Sequence, residues 1–82
     1  MPTVAVIDGN RVTIYPNDHR PAHVHVIGGG KEAVLCLNCP DGPPAVREND
    51  GFSRSEIRRL KAALQDQIAA LCEEWNRIHG EA

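Results

Sequence analysis

The residues best suited to chemistry are crowded into one short segment. Three of the four histidines lie in N-D-H-R-P-A-H-V-H-V, where His23 and His25 alternate along an apolar run and His19 follows Asp18. Glu32 comes seven residues after His25. Histidine gives or takes a proton near neutral pH, and a carboxylate can act as its base or its partner. These five residues are the predicted catalytic set.

Such a set predicts cleavage of the RNA backbone without a metal. A base removes the proton of the 2′-hydroxyl, an acid protonates the leaving oxygen, and a cation stabilises the pentacoordinate phosphate. Glu32 or one of the alternating histidines is the candidate base, and the other histidine is the candidate acid. The candidate cations are Lys31, Arg11 and Arg20.

A metal site is the competing interpretation of the same segment. Asp18 and the three histidines offer up to four nitrogen and oxygen ligands. The C-L-N-C stretch at 36–39 is half of a zinc-type signature, and the sequence has no second half. Closed structural zinc sites take four ligands, and we expect the histidines to face solvent. We therefore predict no cofactor and no tightly bound structural zinc.

A small antiparallel sheet is predicted to carry these residues. The turn sequences D-G-N and G-G-G separate short β-branched segments, and such turns join neighbouring antiparallel strands. Four strands are predicted at residues 4–7, 11–15, 22–27 and 32–37.

The remainder is predicted as one loop and one helix within a single domain of residues 1–82. Residues 38–50 are rich in proline and glycine, which neither helices nor central strands accept, so we expect a loop. Ser53 and Glu56 form a capping box, and an apolar stripe continues from there to Ile78. The predicted fold class is α+β, an antiparallel sheet of about four strands packed on one face by a long C-terminal helix.

Alternation along the strands divides their side chains into two faces. The face that the helix should cover is apolar and holds Val4, Val6, Val12, Ile14, Val24, Val26, Leu35 and Leu37. The other holds Arg11, Thr13, Tyr15, His23, His25, Glu32, Val34 and Cys36. Outer faces of antiparallel sheets are normally polar without any function. Two histidines together with a tyrosine, an arginine and a glutamate nevertheless favour a functional site.

A basic cluster is predicted on the helix. Arg54, Arg58 and Lys61 fall on one helical face near the N-terminus, where positive charge opposes the helix dipole. A solvated surface is the ordinary explanation, and a contact with phosphate or an acidic partner is the alternative. The predicted nucleic-acid-binding residues are Arg11, Arg20, Lys31, Arg54, Arg58 and Lys61.

Composition limits the class of protein. The chain has 82 residues, a net charge of −2 and three cysteines. A core of this size is thin, and we expect Trp75 and Ile78 to extend beyond the sheet into a homodimer or partner contact. No apolar run is long enough to span a bilayer, and an odd number of cysteines fits a reducing compartment. We expect a cytoplasmic protein without membrane contact, with Cys72 packed as a small hydrophobe.

Several stretches resemble a bacterial domain-of-unknown-function family, the one numbered 4160. They are M-P-T-V-A-V-I-D-G, Y-P-N-D-H-R-P-A-H-V-H-V, G-G-G-K-E-A and G-F-S-R-S-E-I-R-R, and the likeness extends from Met1 to about Asn76. The sequence departs from the family pattern at Ala22 and in residues 36–44, so the cysteines fall outside it. The family pattern falls on Asp18, His19, Pro21, His23, His25, Lys31 and Glu32.

The resemblance implies the toxin half of a toxin–antitoxin pair, with a small antitoxin-like protein as its partner. The leading hypothesis is a toxin that acts on RNA or translation through the histidine-bearing face, with a metal-independent ribonuclease as the candidate enzyme. The alternative is a non-catalytic module that binds a protein or a metal.

Overall fold

The structure, a computed structural model, describes residues 3–80, so the two residues at each end of the predicted 1–82 domain lie outside it. A five-stranded antiparallel sheet is followed by two helices. Along the chain, the elements are β1 Thr3–Ile7, β2 Asn10–Thr13, β3 His23–Gly28, β4 Lys31–Cys36, β5 Ala45–Asp50, α1 Arg54–Asp66 and α2 Ile68–His79. The strand order follows the sequence, β1-β2-β3-β4-β5. The predicted α+β class is confirmed.

The two predicted hairpin turns are present. Asp8 and Gly9, with φ of 52° and 78°, connect β1 to β2. Gly29 and Gly30 have φ of 57° and 77° and connect β3 to β4. Positive φ at both central residues matches the right-handed twist of the strands, and glycine tolerates it best.

The prediction of a loop over residues 38–50 is wrong in its second half, where β5 pairs with β4 and makes a fifth strand. The prolines end at Pro44, and beyond them the backbone is free to donate hydrogen bonds to a neighbouring strand. All six residues of β5 are exposed at the sheet edge, so they lack the apolar alternation that identifies a half-buried strand.

The predicted single helix is two helices. The helix is interrupted at Gln67, which has φ −115° and ψ 18° and lies between α1 and α2. An unbroken helix over 54–79 would be roughly 39 Å long at about 1.5 Å per residue. The whole fold extends only 35 Å along its longest axis. The break keeps both halves against the sheet, and the buried stripe continues through Leu60, Leu64, Ile68, Leu71 and Trp75.

The predicted apolar face is confirmed in β2, β3 and β4, whereas in β1 Val4 packs against the core and Val6 does not. Val12, Val24 and Val26 are fully buried, as are Ile14, Leu35 and Leu37. Val6 is 64% exposed and Ile7 is buried in its place. An irregularity in the pairing between Thr3 and Ala5 shifts the alternation of β1 by one residue.

The expectation that Trp75 overhangs the sheet is wrong, because its side chain is buried inside its own chain at 1% exposure. Its ring packs 5.3 Å from the ring of His23 and stacks 3.8 Å from that of His79. Ile78 is half-buried. The prediction of a homodimer contact therefore loses its main support, which was an exposed Trp75.

A disulfide joins Cys39 to Cys72, with Cα atoms 5.9 Å apart. Cys72 is buried as expected, but it is bonded rather than packed as a free thiol. The bond ties the proline-rich segment to α2. Disulfides are typical of oxidising compartments, so the cysteines no longer argue for a reducing one. Neither helix within residues 3–80 is long and apolar enough to cross a bilayer.

The predicted capping box at the start of α1 is present and is extended by an ion pair. The backbone N–H of Glu56 donates to Ser53 Oγ (3.1 Å), and that of Ser53 donates to Glu56 Oε1 (2.8 Å). Lys31 Nζ donates to Glu56 Oε2 at 2.8 Å. These donors, Lys31 above all, lower the pKa of Glu56 from its ordinary value to about 2.

We expect the contribution of Glu56 to stability to depend on pH. A lowered folded-state pKa means that the ionised carboxylate stabilises the fold above its ordinary pKa and loses this effect as the pH falls toward 2. Above about pH 5, the melting temperature of Glu56→Gln should lie below that of the wild type. The difference between the two melting temperatures should close at about pH 2. Glu73→Gln, an exposed control on α2, should follow the wild type. A gap that persists at the lowest pH would contradict the assignment.

Candidate functional site

Strand β3 positions both alternating histidines. It pairs with β2 and β4, and its register sets His25 between Thr13 and Val34, and His23 opposite Cys36. His23 and His25 are two residues apart, so they share the sheet face opposite Val24 and Val26. Their ring centroids are 5.4 Å apart. The prediction that both histidines share one face is confirmed.

Asp18 reaches the two rings from the preceding loop. A turn holds it in place, because the backbone N–H of Asp18 donates to the carbonyl of Tyr15 (3.0 Å) and that of Tyr15 donates back to Asp18 Oδ2 (3.3 Å). The same Oδ2 lies 3.3 Å from His23 Nε2 and 3.2 Å from His25 Nε2. One carboxylate oxygen therefore joins both imidazoles.

The remaining ring nitrogens also face oxygen atoms. His23 Nδ1 donates to the carbonyl of Pro21 at 2.8 Å, and His25 Nδ1 donates to Glu32 Oε2 at 3.3 Å. A neutral imidazole carries a single N–H, whereas each ring here has an acceptor at both nitrogens. With Nδ1 as the donor, the Nε2 lone pair of each ring faces the carboxylate of Asp18 unless a proton or a cation lies between them. We call Asp18, His23, His25 and Glu32 the histidine–carboxylate cluster.

Exposure increases across the cluster. His23 is 5% exposed and lies against Trp75, whereas the side chains of Asp18 and His25 are each 17% exposed and that of Glu32 is 51% exposed. The ring of Tyr15 meets His25 edge to face at 4.8 Å. The expectation that both histidines face solvent is wrong for His23, because it begins β3 at the end of the sheet that α2 covers. Solvent reaches the cluster on the side of His25 and Glu32.

A cleft of about 220 Å³ opens beside the cluster. Its lining includes two members of the cluster, Asp18 and His23, and four further residues, Asn17, His19, Arg20 and Arg47. We call it the arginine cleft. Arg47 belongs to β5 and was missed from the sequence, because nothing there marks residues 45–50 as a strand. The pairing of β5 with β4 brings Arg47 to the cleft, although Arg47 itself lies at an irregularity in that pairing.

The other predicted site residues are dispersed. His19 is exposed and lines the arginine cleft, but it makes no contact with the cluster rings. Lys31 lies at the far end of β3 and β4, opposite Gly28, and pairs with Glu56, so its predicted role beside the histidines is wrong. Arg11 is exposed opposite Ile27, in the same cross-strand row as Glu32, and Ile27 lies between the two.

The basic helix cluster forms a separate surface. Arg54, Arg58 and Lys61 surround Ile57 at a second cleft of about 270 Å³ on α1. The N-terminal end of α1 contacts Lys31 through Glu56 at the Gly28 end of β3, whereas the arginine cleft lies at the His23 end. We call these three cations and Ile57 the basic helix surface. It is not continuous with the arginine cleft.

Comparison with known protein families identifies the family of this chain. The family model described as "Domain of unknown function (DUF4160)" matches residues 9–76, a range that contains the whole cluster and both arginines of the cleft. No curated protein and no solved structure matches the sequence.

Proposed function

This chain belongs to the DUF4160 family, and we propose that it is the toxin component of a toxin–antitoxin pair and that it cleaves RNA. The observation that carries the proposal is the joining of two imidazoles and two carboxylates next to a cleft lined by two arginines. Phosphodiester cleavage needs proton donors and acceptors beside a cationic phosphate site.

Glu32 is the proposed base, because it is the most exposed member of the cluster, and His25 is the proposed acid, because its Nδ1 lies against Glu32. Glu32 takes the proton of the 2′-hydroxyl, whose oxygen attacks phosphorus. The bond from phosphorus to the 5′-oxygen breaks, and the Nδ1–H of His25 gives that oxygen its proton. The products are a 2′,3′-cyclic phosphate and a free 5′-hydroxyl. The proton on Glu32 returns to His25 through the 3.3 Å contact between them.

Asp18 and His23 hold His25 in place in this proposal. The carboxylate of Asp18 supports the ring at Nε2, and buried His23 fixes Asp18 from the other side. Arg20 and Arg47 bind phosphate, and their guanidinium groups match its geometry.

The antitoxin is assigned to the basic helix surface. Three cations around one apolar side chain suit an acidic, amphipathic partner segment. Because this surface is separate from the arginine cleft, RNA binding and partner binding can be tested independently.

The two arginines of the cleft provide the test of RNA binding. Arg20→Ala and Arg47→Ala should each weaken the binding of a single-stranded RNA. Each should also make the fall of log affinity with log salt concentration less steep, by roughly 0.7. Arg54→Ala and Arg58→Ala are matched controls on α1, which should keep the RNA affinity and slope of the wild type. Fluorescence titration at several salt concentrations gives both quantities. Equal losses from both pairs of variants would show that charge alone, and not the cleft, attracts the RNA.

A further inference from the structure

Three ligand-type atoms in the histidine–carboxylate cluster have the spacing of a metal site. Asp18 Oδ2 lies 3.3 Å from His23 Nε2 and 3.2 Å from His25 Nε2, and one atom from each residue lies within 4.8 Å of the others. Tetrahedral ligands held about 2.0–2.1 Å from an ion are about 3.3–3.4 Å apart. Both short distances match that edge. We propose that Asp18, His23 and His25 form an open, three-ligand site for a divalent transition-metal ion, with Zn²⁺ the best candidate.

The contacts behind the two rings support this assignment. The Nδ1–H of His23 donates to a backbone carbonyl, and that of His25 donates to the carboxylate of Glu32. Metal-binding histidines almost always donate their second nitrogen in these two ways, which fixes the tautomer and leaves the Nε2 lone pair for the ion. Here both Nε2 lone pairs would point toward the same carboxylate oxygen. A cation between the three atoms removes the repulsion that this tautomer otherwise has.

The type of ion follows from the ligand set. Two imidazole nitrogens and one carboxylate oxygen suit zinc and its neighbours in the transition series better than magnesium or calcium, which prefer oxygen alone. Three protein ligands leave a fourth position open, as in catalytic rather than structural zinc sites. The partial exposure of Asp18 and His25 allows an ion and a water molecule to reach it. The predicted absence of a closed structural zinc site is compatible with this arrangement.

This inference goes beyond the proposed RNA cleavage and does not require it. Proton and metal compete for the same Nε2 atoms, because only a deprotonated nitrogen can bind the ion. A loaded site would leave Nδ1 as the only N–H of His25, and that is the atom that gives the proton in the proposed cleavage. Metal binding and RNA cleavage are consequently measured separately.

The test uses the untagged full chain with its disulfide intact, after treatment with a chelator. Isothermal titration with Zn²⁺ should give one ion per chain, and Co²⁺ should give the visible absorption of a site with low coordination number. His25→Gln and Asp18→Asn should each weaken binding by about a hundredfold or more, and Glu32→Gln by roughly tenfold. His23→Gln removes the third ligand, and circular dichroism checks that this buried substitution leaves the domain folded.

Two controls exclude other ligands. Cys36 is the free thiol of the chain, so Cys36→Ser should bind zinc as the wild type does. His19→Gln removes a nearby histidine outside the three-ligand set and should also bind normally. Absence of stoichiometric binding, or binding that survives both His25→Gln and Asp18→Asn, would overturn the inference. Zinc binding without RNA cleavage would support the metal site and count against the proposed function, and cleavage by a chain that binds no metal would do the reverse.

Discussion

His25→Gln and Glu32→Gln are expected to lose about a hundredfold or more of the RNA-cleaving rate while the domain stays folded. Gln keeps the approximate size of each side chain and can donate or accept a hydrogen bond, but it cannot transfer a proton. Glu32 is half exposed and His25 partly exposed, so neither substitution opens a cavity in the core. Cleavage of a labelled RNA and thermal melts of the same preparations measure the two effects.

The double variant shows whether the pair acts as one unit. If the proton lost by His25 returns from Glu32, removing both groups should cost little more than removing either, since catalytic residues that act together are strongly non-additive. Glu73→Gln, an exposed carboxylate on α2, is the matched control and should cleave RNA at the wild-type rate. Independent, multiplicative losses from the two substitutions would argue against the proposed proton return.

Val24→Asp is expected to unfold the domain. Val24 is fully buried on the helix-facing side of β3, one residue from each histidine, and pairs with Leu35 on β4. Burying a carboxylate without a partner costs several kcal/mol, and a domain of this size has only about 4–12 kcal/mol of stability in total. The far-ultraviolet circular dichroism of the variant should lose its cooperative thermal transition.

Val6→Asp is the matched control for Val24→Asp. Alternation places both valines on the apolar face, whereas the structure leaves Val6 64% exposed. The control should therefore change the stability by no more than about 0.5 kcal/mol. If Val6→Asp unfolds the protein as severely as Val24→Asp, the shifted alternation of β1 is wrong.

Elements with strong local signals were predictable from the sequence. The two hairpin turns, the buried faces of β3 and β4 and the capping box each depend on a few neighbouring residues, and all are present. Strand alternation alone predicted that His23 and His25 lie on the same face of the sheet. Where local chemistry decides the structure, the sequence was sufficient.

Features that depend on distant parts of the chain were not predictable. The exposed strand β5 has no apolar alternation, so Arg47 could not be placed beside Asp18. Three cysteines allow three pairings, and their spacing does not select Cys39 with Cys72. The position of the Asp18 carboxylate between both rings depends on a turn in the loop before β3, whose hydrogen bonds the sequence does not reveal. The cluster could thus be predicted as a list of residues and not as a network.

One pair of substrates tests most directly whether the histidine–carboxylate cluster cleaves RNA by attack of the 2′-hydroxyl. A single-stranded RNA that the purified chain cuts is compared with the same RNA carrying a 2′-deoxy sugar on the 5′ side of the cut bond. We expect a 2′,3′-cyclic phosphate end from the first substrate and no cleavage at the altered position in the second. Cleavage at the 2′-deoxy position, or RNA that the wild type cuts no faster than His25→Gln does, would contradict this mechanism.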